Sequence, residues 1–397
     1  MIIQPAERTK SVSEYYFSRK LQEIDEMNRQ GKKVINLGIG APDLPPAEVV
    51  IHTLVRSAED PGNHAYQSYK GLPELREAFA SWYRRYYRVE LNPATEIQPL
   101  TGSKEGILLL SLAFLNKGDK VLVPNPGYPT YSSASLLAEA KIVTYDLDEE
   151  KGWMPDFDAL EKMNLDGVKL MWTNYPNMPT GGCATGALYR RLVDFGLKHG
   201  IMICNDNPYS FILNEPRLSI LETEGAKRCC VELNSLSKAH NMSGWRIGMI
   251  AGEPEVIAEV LKVKSNMDSG MFKPLQTAAI RALEQDESWY TRLNEEYEKR
   301  KILAGELFDL LKVTYDKNSR GLFLWGKVGG DWKNGEELSD HILREARVFI
   351  TPGFIFGSKG EAYVRISLCA KQEVLRSALR RIKESLEGLK LTHGSWC

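Results

Sequence analysis

Asn234-Ser-Leu-Ser-Lys-Ala-His-Asn-Met-Ser-Gly-Trp-Arg-Ile-Gly248 stands between two apolar runs, residues 229–233 and 247–251, each of which reads as a short buried strand. Between them lie the hydroxyls of Ser235 and Ser237, the amine of Lys238, the glycines Gly244 and Gly248, and the guanidinium of Arg246. Hydroxyl, ammonium and guanidinium donors gathered in one turn suit a doubly charged phosphate, because charge-assisted hydrogen bonds are the strong ones. A lysine close to other cations and partly removed from water loses its proton more readily, which makes Lys238 a candidate carbonyl-trapping amine. A single loop lysine is far more often a solvated charge, so the rest of the chain has to decide.

Composition narrows the choice. The 397 residues, 43% hydrophobic and 26% charged, are enough for more than one domain with a sizeable core. A formal net charge of −1 offers no basic surplus for nucleic acid. The first residues lack a basic segment followed by an apolar one, and no apolar run approaches the ~18 residues of a membrane span. These features point to a cytoplasmic location, without nucleic acid or membrane as partner. Six cysteines (183, 204, 229, 230, 369 and 397) lack Cys-x-x-Cys spacing and fit reduced core thiols, and the six histidines lack ligand spacing, so no metal site is expected.

In chain order, residues 11–30 carry Tyr15, Tyr16, Phe17, Leu21, Ile24 and Met27 at helical spacing. A strand at 34–37 leads to Gly38-Ile-Gly-Ala-Pro-Asp43, which lacks the third glycine of a dinucleotide fingerprint. A helix starts near Pro73. Thr101-Gly-Ser-Lys-Glu-Gly106 opens an apolar helix over 107–115; taken alone it reads as a plain helix start capped by Ser103 or as an anion site made by free N–H groups and the dipole. Strands at 121–123, 168–173 and 201–204 run into Pro126-Gly-Tyr-Pro-Thr-Tyr131, Asn174-Tyr-Pro-Asn-Met-Pro-Thr-Gly181 and Asn205-Asp-Asn-Pro-Tyr209. Residues just after such strands sit at the carboxyl edge of the sheet, where α/β proteins bind ligands. The alternation from about 54 to 282 predicts a doubly wound α/β sheet. After it come a long charged helix over 289–311, strands at 322–325, 348–351 and 363–368, and a final helix with Leu375, Ala378, Leu379, Ile382 and Leu386 on one face. Alternation in 363–368 puts Tyr363, Arg365 and Ser367 on one face. If that face is buried, Arg365 is costly unless it meets an anion.

The ordered set of motifs, led by Ser-x-Ser-Lys with Arg eight residues after the lysine, resembles the fold-type I aminotransferases of the aspartate, aromatic, alanine and LL-diaminopimelate kind. The resemblance covers nearly the whole chain and implies a large domain (47–285) with a mostly parallel seven-stranded sheet. A smaller α+β domain would combine 1–46 with 286–397. It further implies pyridoxal 5'-phosphate as cofactor, and a homodimer that transfers amino groups between L-amino acids and 2-oxo acids by a ping-pong route, in amino-acid biosynthesis. Lys238 would hold the cofactor and move the Cα proton, Asp206 would keep the pyridine nitrogen protonated, and Tyr209 would bond the phenolic oxygen. Tyr128 would stack on the ring. Ser103, Lys104, Glu105, Ser235, Ser237 and Arg246 would form the phosphate cup, completed by Tyr66 from the neighbouring subunit. Arg365 and Gly40 would meet the substrate carboxylate, and Tyr16 with Tyr15 and Phe17 would line a side-chain pocket. The asparagine that precedes Pro-Thr-Gly in the family is Met178 here, and a thioether donates no hydrogen bond. Asn177 or another group would take over its role. A β-lyase on the same cradle is the alternative activity, and a non-catalytic cofactor-binding regulator a more remote one.

Overall fold

The computed structural model describes residues 3–12 and 16–393; Tyr15 and Cys397 lie outside them. A short strand, β1 (Ile35–Asn36), precedes the central sheet of β2 (Ile97–Leu100), β3 (Lys120–Asn125), β4 (Lys141–Asp146), β5 (Val168–Asn174), β6 (Met202–Asp206), β7 (Cys230–Ser235) and β8 (Gly248–Ala251). These seven stand in the order β2-β8-β7-β6-β5-β3-β4. Only β8 runs against the others, antiparallel to both β2 and β7. The carboxyl ends of β2, β3, β5, β6 and β7 therefore share one edge, and β8 starts there, with Gly248 opposite both Leu100 and Ser235. Every motif singled out above between 101 and 246 leaves or enters the sheet at that edge.

Both faces of the sheet are apolar, as strands covered by helices on both sides require. Val121, Val123, Leu170, Trp172, Val231, Leu233 and Ile250 pack with the helices Ser103–Phe114 and Pro254–Lys264. The alternate residues Leu122, Met171, Ile203 and Met249 pack with Phe79 and Trp82 of the helix Pro73–Tyr87 and with Leu192 of Gly186–His199. Period two along each strand divides these two cores.

The remaining strands are β9 (Thr314–Tyr315), β10 (Phe323–Lys327), β11 (Val348–Phe349), β12 (Thr351–Pro352) and β13 (Tyr363–Ser367). Four of them form a sheet in the order β12-β13-β10-β9, while β1 pairs with β11 in parallel. That pairing ties the N-terminal segment to the C-terminal part. Arg365 lies in the middle of β13, opposite Trp325 on one side and Thr351 on the other. Among the described residues no helix is long and apolar enough to cross a membrane.

Candidate active site

A cavity of about 370 Å³ opens at the carboxyl edge of the central sheet. Its walls gather Gly40, Ser103, Lys104, Tyr128, Asp206, Tyr209, Ser235, Ser237, Lys238, Arg246 and Arg365, contributed by segments up to 325 positions apart in the chain.

One end is cationic and rich in donors. Ser235 caps the short helix Leu236–Ala239, accepting from the Ser237 amide at 3.1 Å and donating to the Ser237 hydroxyl at 2.8 Å. Arg246 is held in the left-handed region (φ 58°), and a Cβ on Gly102 would lie 2.2 Å from its Nη2. Gly248 is equally constrained, since a Cβ there would meet the Asn234 carbonyl at 2.6 Å and the Ser103 amide at 3.0 Å. Ser103 and Lys104 open the helix Ser103–Phe114. Burial and the charge of Arg246 lower the Lys104 pKa, the mark of cations crowded at one spot. Two cations, hydroxyls and a helix N-terminus make a cup for a dianionic phosphate.

The middle of the cavity holds the titrating groups. Asp206 is buried; its Oδ2 accepts from Tyr131 at 2.9 Å, while Oδ1 has no hydrogen-bond partner. Burial pushes its pKa up to about 7, against the opposing Tyr131 hydrogen bond and the Lys238 charge. An orphaned carboxylate oxygen in a dry site calls for a cationic N–H donor, and a protonated pyridine nitrogen supplies one. The residues present thus fit the ring of pyridoxal phosphate: carboxylate at one side, aromatic face of Tyr128 along the wall, phosphate cup beyond. Tyr131 is itself fixed by stacking on Trp172, with centroids 4.9 Å apart and planes 3° from parallel. Asn174 donates to the Asp206 carbonyl at 2.6 Å and pins the end of β6. Lys238 donates to the Gly40 carbonyl, and burial lowers its pKa, with Arg365 and Arg246 adding to the effect. A lysine with a lowered pKa keeps more free amine for attack on a carbonyl. Burial likewise raises the Tyr209 pKa, so its hydroxyl stays protonated and able to donate.

At the far end Arg365 is 3% exposed. Its Nη2 donates to the Gly38 carbonyl at 2.7 Å and its Nη1 points to the Met178 sulfur at 3.1 Å. Its Cζ lies 3.9 Å from the ring centroid of Phe323 and 4.7 Å from that of Phe356. Aromatic faces attract a guanidinium, and its planar fork has the geometry to bind a carboxylate through two parallel hydrogen bonds. Gly40 is glycine because a Cβ would lie 2.3 Å from the Phe323 ring.

Three expected residues stand elsewhere, while Tyr66 was expected only at the neighbouring subunit's site. Glu105 turns away from the cup: Oε2 accepts from the Thr101 amide at 2.6 Å and Oε1 binds Lys264 at 2.9 Å. It braces the cup rather than lining it. Asn177 is folded into its own loop, donating to the Asn174 carbonyl and accepting from Thr180, so it does not replace the family asparagine. Met178 itself lines the cavity. Tyr16 packs edge-on against Phe354, while Phe17 and Leu21, four residues apart on the helix Tyr16–Arg29, reach the cavity. Tyr66 is 90% exposed and outside this chain's own cavity. Sequence reading passed over Tyr131, Asn174, Phe323 and Phe356. Tyr131 was visible as the second aromatic of Pro126–Tyr131 and Asn174 as the first residue of Asn174–Gly181, while Phe323 and Phe356 carry no local signal.

The comparisons with known proteins agree with this geometry. The model of the family "Aminotransferase class I and II" matches residues 32–382. The chain is 39% identical over 387 residues to the LL-diaminopimelate aminotransferase of Halothermothrix orenii, covering 96% of this chain and 99% of that protein. It is 39% identical over 380 residues to the enzyme of that name from Aquifex aeolicus, covering 95% and 98%. Substrate-bound BacF from Bacillus subtilis superposes with a TM-score of 0.91 at 37% identity, over 97% of this chain and 98% of that one. The aromatic aminotransferase of Pyrococcus horikoshii does so with 0.85 at 30% identity, over 93% and 100%. With its cup, its lysine and its orphaned carboxylate at one sheet edge, the chain belongs to the class I and II aminotransferases, pyridoxal-phosphate-dependent enzymes of fold type I.

Proposed function

We propose that this aminotransferase takes an L-amino acid with an aromatic or bulky apolar side chain as its donor. The observation that carries this is the wall around Arg365: Phe17, Leu21, Ile39, Phe323 and Phe356 on this chain, with Met178 in place of a hydrogen-bonding amide. An apolar side chain gains about 25 cal/mol per Å² buried on such a wall, whereas a second ammonium and carboxylate would lose water there without a partner.

The residues divide the work. Arg365 exchanges the Met178 sulfur and Gly38 carbonyl for the substrate α-carboxylate and so fixes Cα beside Lys238. The bound cofactor supplies the sink for the electron pair left at Cα. Lys238 Nζ takes the Cα proton and delivers it back, as a buried amine of lowered pKa can. Asp206, with its unpartnered Oδ1, would hold the ring nitrogen of the cofactor, Tyr209 would donate to its phenolic oxygen, and Ser103, Lys104, Ser235, Ser237 and Arg246 would anchor its phosphate. Arg246 and Lys104 are exposed in the single chain, so the cup needs a cover. A homodimer would give one, with Tyr66 of each subunit reaching the other's phosphate, residues 47–285 as the large domain and 1–46 with 286–397 as the small one. The enzyme would work in the cytoplasm, in amino-acid biosynthesis. The test is kcat/KM for a panel of donors with 2-oxoglutarate or pyruvate as acceptor. Phenylalanine, tyrosine or leucine should exceed diaminopimelate at least tenfold, and the reverse order would overturn the donor class.

A further inference from the structure

A second cavity, of about 300 Å³, opens at the opposite, amino-terminal end of β7, among Gly196, Lys227, Arg228, Cys229, Cys230 and Glu253. Adjacent residues of a regular strand point to opposite faces. Cys229 breaks that rule: it closes the 3-10 turn Ala226–Arg228 with φ −145° and ψ 2°, well away from extended ψ. Both thiols thereby face each other, with their sulfurs 3.6 Å apart. Cys230 is 2% exposed, while Cys229 is only partly covered, so a reagent in the cavity meets Cys229 first. The Cys230 hydrogen bond and the Arg228 charge hold the Cys229 thiol below its ordinary range, against burial and Asp194. Lys227 is spent on Glu96 at 2.9 Å.

The spacing selects what the pair can do. A disulfide needs ~2.05 Å between sulfurs and Cα atoms at least ~4.4 Å apart, while adjacent Cα atoms across a trans peptide are held at ~3.8 Å. A direct bond would close only with strain. One soft atom bound to both sulfurs, with bonds of ~2.3 Å at a tetrahedral angle, sets them ~3.8 Å apart; a pyramidal atom with a lone pair sets them slightly closer. Among the described residues no group of three or more His, Cys, Asp or Glu is placed to hold a metal ion. A four-coordinate zinc would therefore stay incomplete, whereas a trivalent arsenic that already carries one carbon needs only two sulfurs.

We propose that Cys229 and Cys230 form a chelating site for trivalent organoarsenicals, independent of the active site. In the step, two As–S bonds form and the As=O bond of R–As=O breaks. Both thiol protons leave on that oxygen as water, and nothing is oxidised or reduced. The six residues of β7 separate the site from the cofactor cavity by roughly 20 Å, so capture leaves the cofactor in place.

The experiment treats the cofactor-loaded enzyme with phenylarsine oxide, washes with a monothiol, and reads intact mass, free thiols and visible spectrum. One phenylarsenic per chain, two thiols lost, an unchanged cofactor band and release by a small dithiol are expected. Cys229→Ser and, separately, Cys230→Ala should each weaken retention by ~10²-fold or more, the loss of the intramolecular second bond. Cys204→Ser, a buried neighbour on β6, should leave it unchanged. Retention that survives the monothiol in Cys229→Ser, or no retention in the wild type, would overturn the assignment.

Discussion

Asp206 pairs its Oδ2 with Tyr131 and leaves Oδ1 in a dry cavity without a donor, and this has a consequence for stability. An unfolded Asp titrates near pH 4, whereas burial raises the folded carboxyl to about 7. Below both values the folded and unfolded chains hold this proton alike. Between pH 4 and 7 the unfolded chain releases it first, so the cofactor-free protein loses up to ~4 kcal/mol of stability as pH rises across that window. Asp206→Asn should remove this loss, and so should bound cofactor, whose ring N–H stabilises the ionised form. Chemical unfolding of cofactor-free wild type and variant at pH 4.5 and 7 measures it; equal slopes would show that Asp206 ionises freely. At this scale the sequence was informative where chemistry is local. Lys238, Asp206, Tyr209 and Arg365 all line one cavity, and the period-two argument already turned Arg365 to a single face. It was less so where a side chain has two places to go. Asn177 is one residue from the cavity yet is consumed by its own loop, and Glu105 is drawn to Lys264, a partner 159 positions away that no local pattern reveals.

That partner defines the clearest effect among the elements. Lys264, the last residue of the helix Pro254–Lys264, is fully buried and binds both Glu105 and Asp268. Glu105 in turn accepts from the Thr101 amide at the mouth of the phosphate cup, and Asp268 accepts from Gly270, whose turn packs on Gln67, next to Tyr66. Lys264→Met leaves two carboxylates facing each other without their cation, which costs ~3–5 kcal/mol. The expected result is a lower melting temperature together with weaker cofactor binding, measured as the dissociation constant of pyridoxal phosphate. An unaltered constant in a destabilised protein would show that the triad supports the fold alone. Most strands of the central sheet were legible, because β3, β5, β6, β7 and β8 are short apolar runs that end in motifs. The two edge strands were not singled out. β2, Ile-Gln-Pro-Leu, carries a proline that only an edge position or strand start tolerates. β4, Lys-Ile-Val-Thr-Tyr-Asp, is half exposed and borders no site.

For the molecule as a whole, several exposed apolar residues gather on neighbouring loops. Tyr66, Tyr69, Met267 and Phe272 all stand open in the single chain, on the two loops that the Lys264 triad joins to the phosphate cup. A surface of this kind is what a second copy would cover, and the proposed shared-site dimer would give Tyr66 its role. Hybrid dimers test this. A subunit with Lys238→Ala combined with a subunit carrying Tyr66→Phe brings the intact lysine and the intact tyrosine together in one site, because Tyr66 of the first subunit would reach the site of the second. That hybrid should therefore be more active than one in which both changes sit in the same subunit, which leaves neither site whole. Equal activity of the two hybrids would put Tyr66 outside the neighbouring site. That the strands after residue 282 stand apart from the central sheet followed from the change of pattern there, but the pairing of β1 with β11 joins segments 313 positions apart, and no local pattern sets its register.

The central claim is that Lys238 and the groups around it transfer an amino group rather than break a substrate bond. It is tested most directly by the visible spectrum of the cofactor-loaded enzyme during one turnover with a donor amino acid and no 2-oxo acid. The account predicts that the band of lysine-bound pyridoxal phosphate gives way to that of pyridoxamine phosphate, one equivalent of 2-oxo acid appears per site, and added 2-oxoglutarate or pyruvate restores the first band. A persistent band with continuous release of ammonia and pyruvate would contradict it and make the protein a lyase.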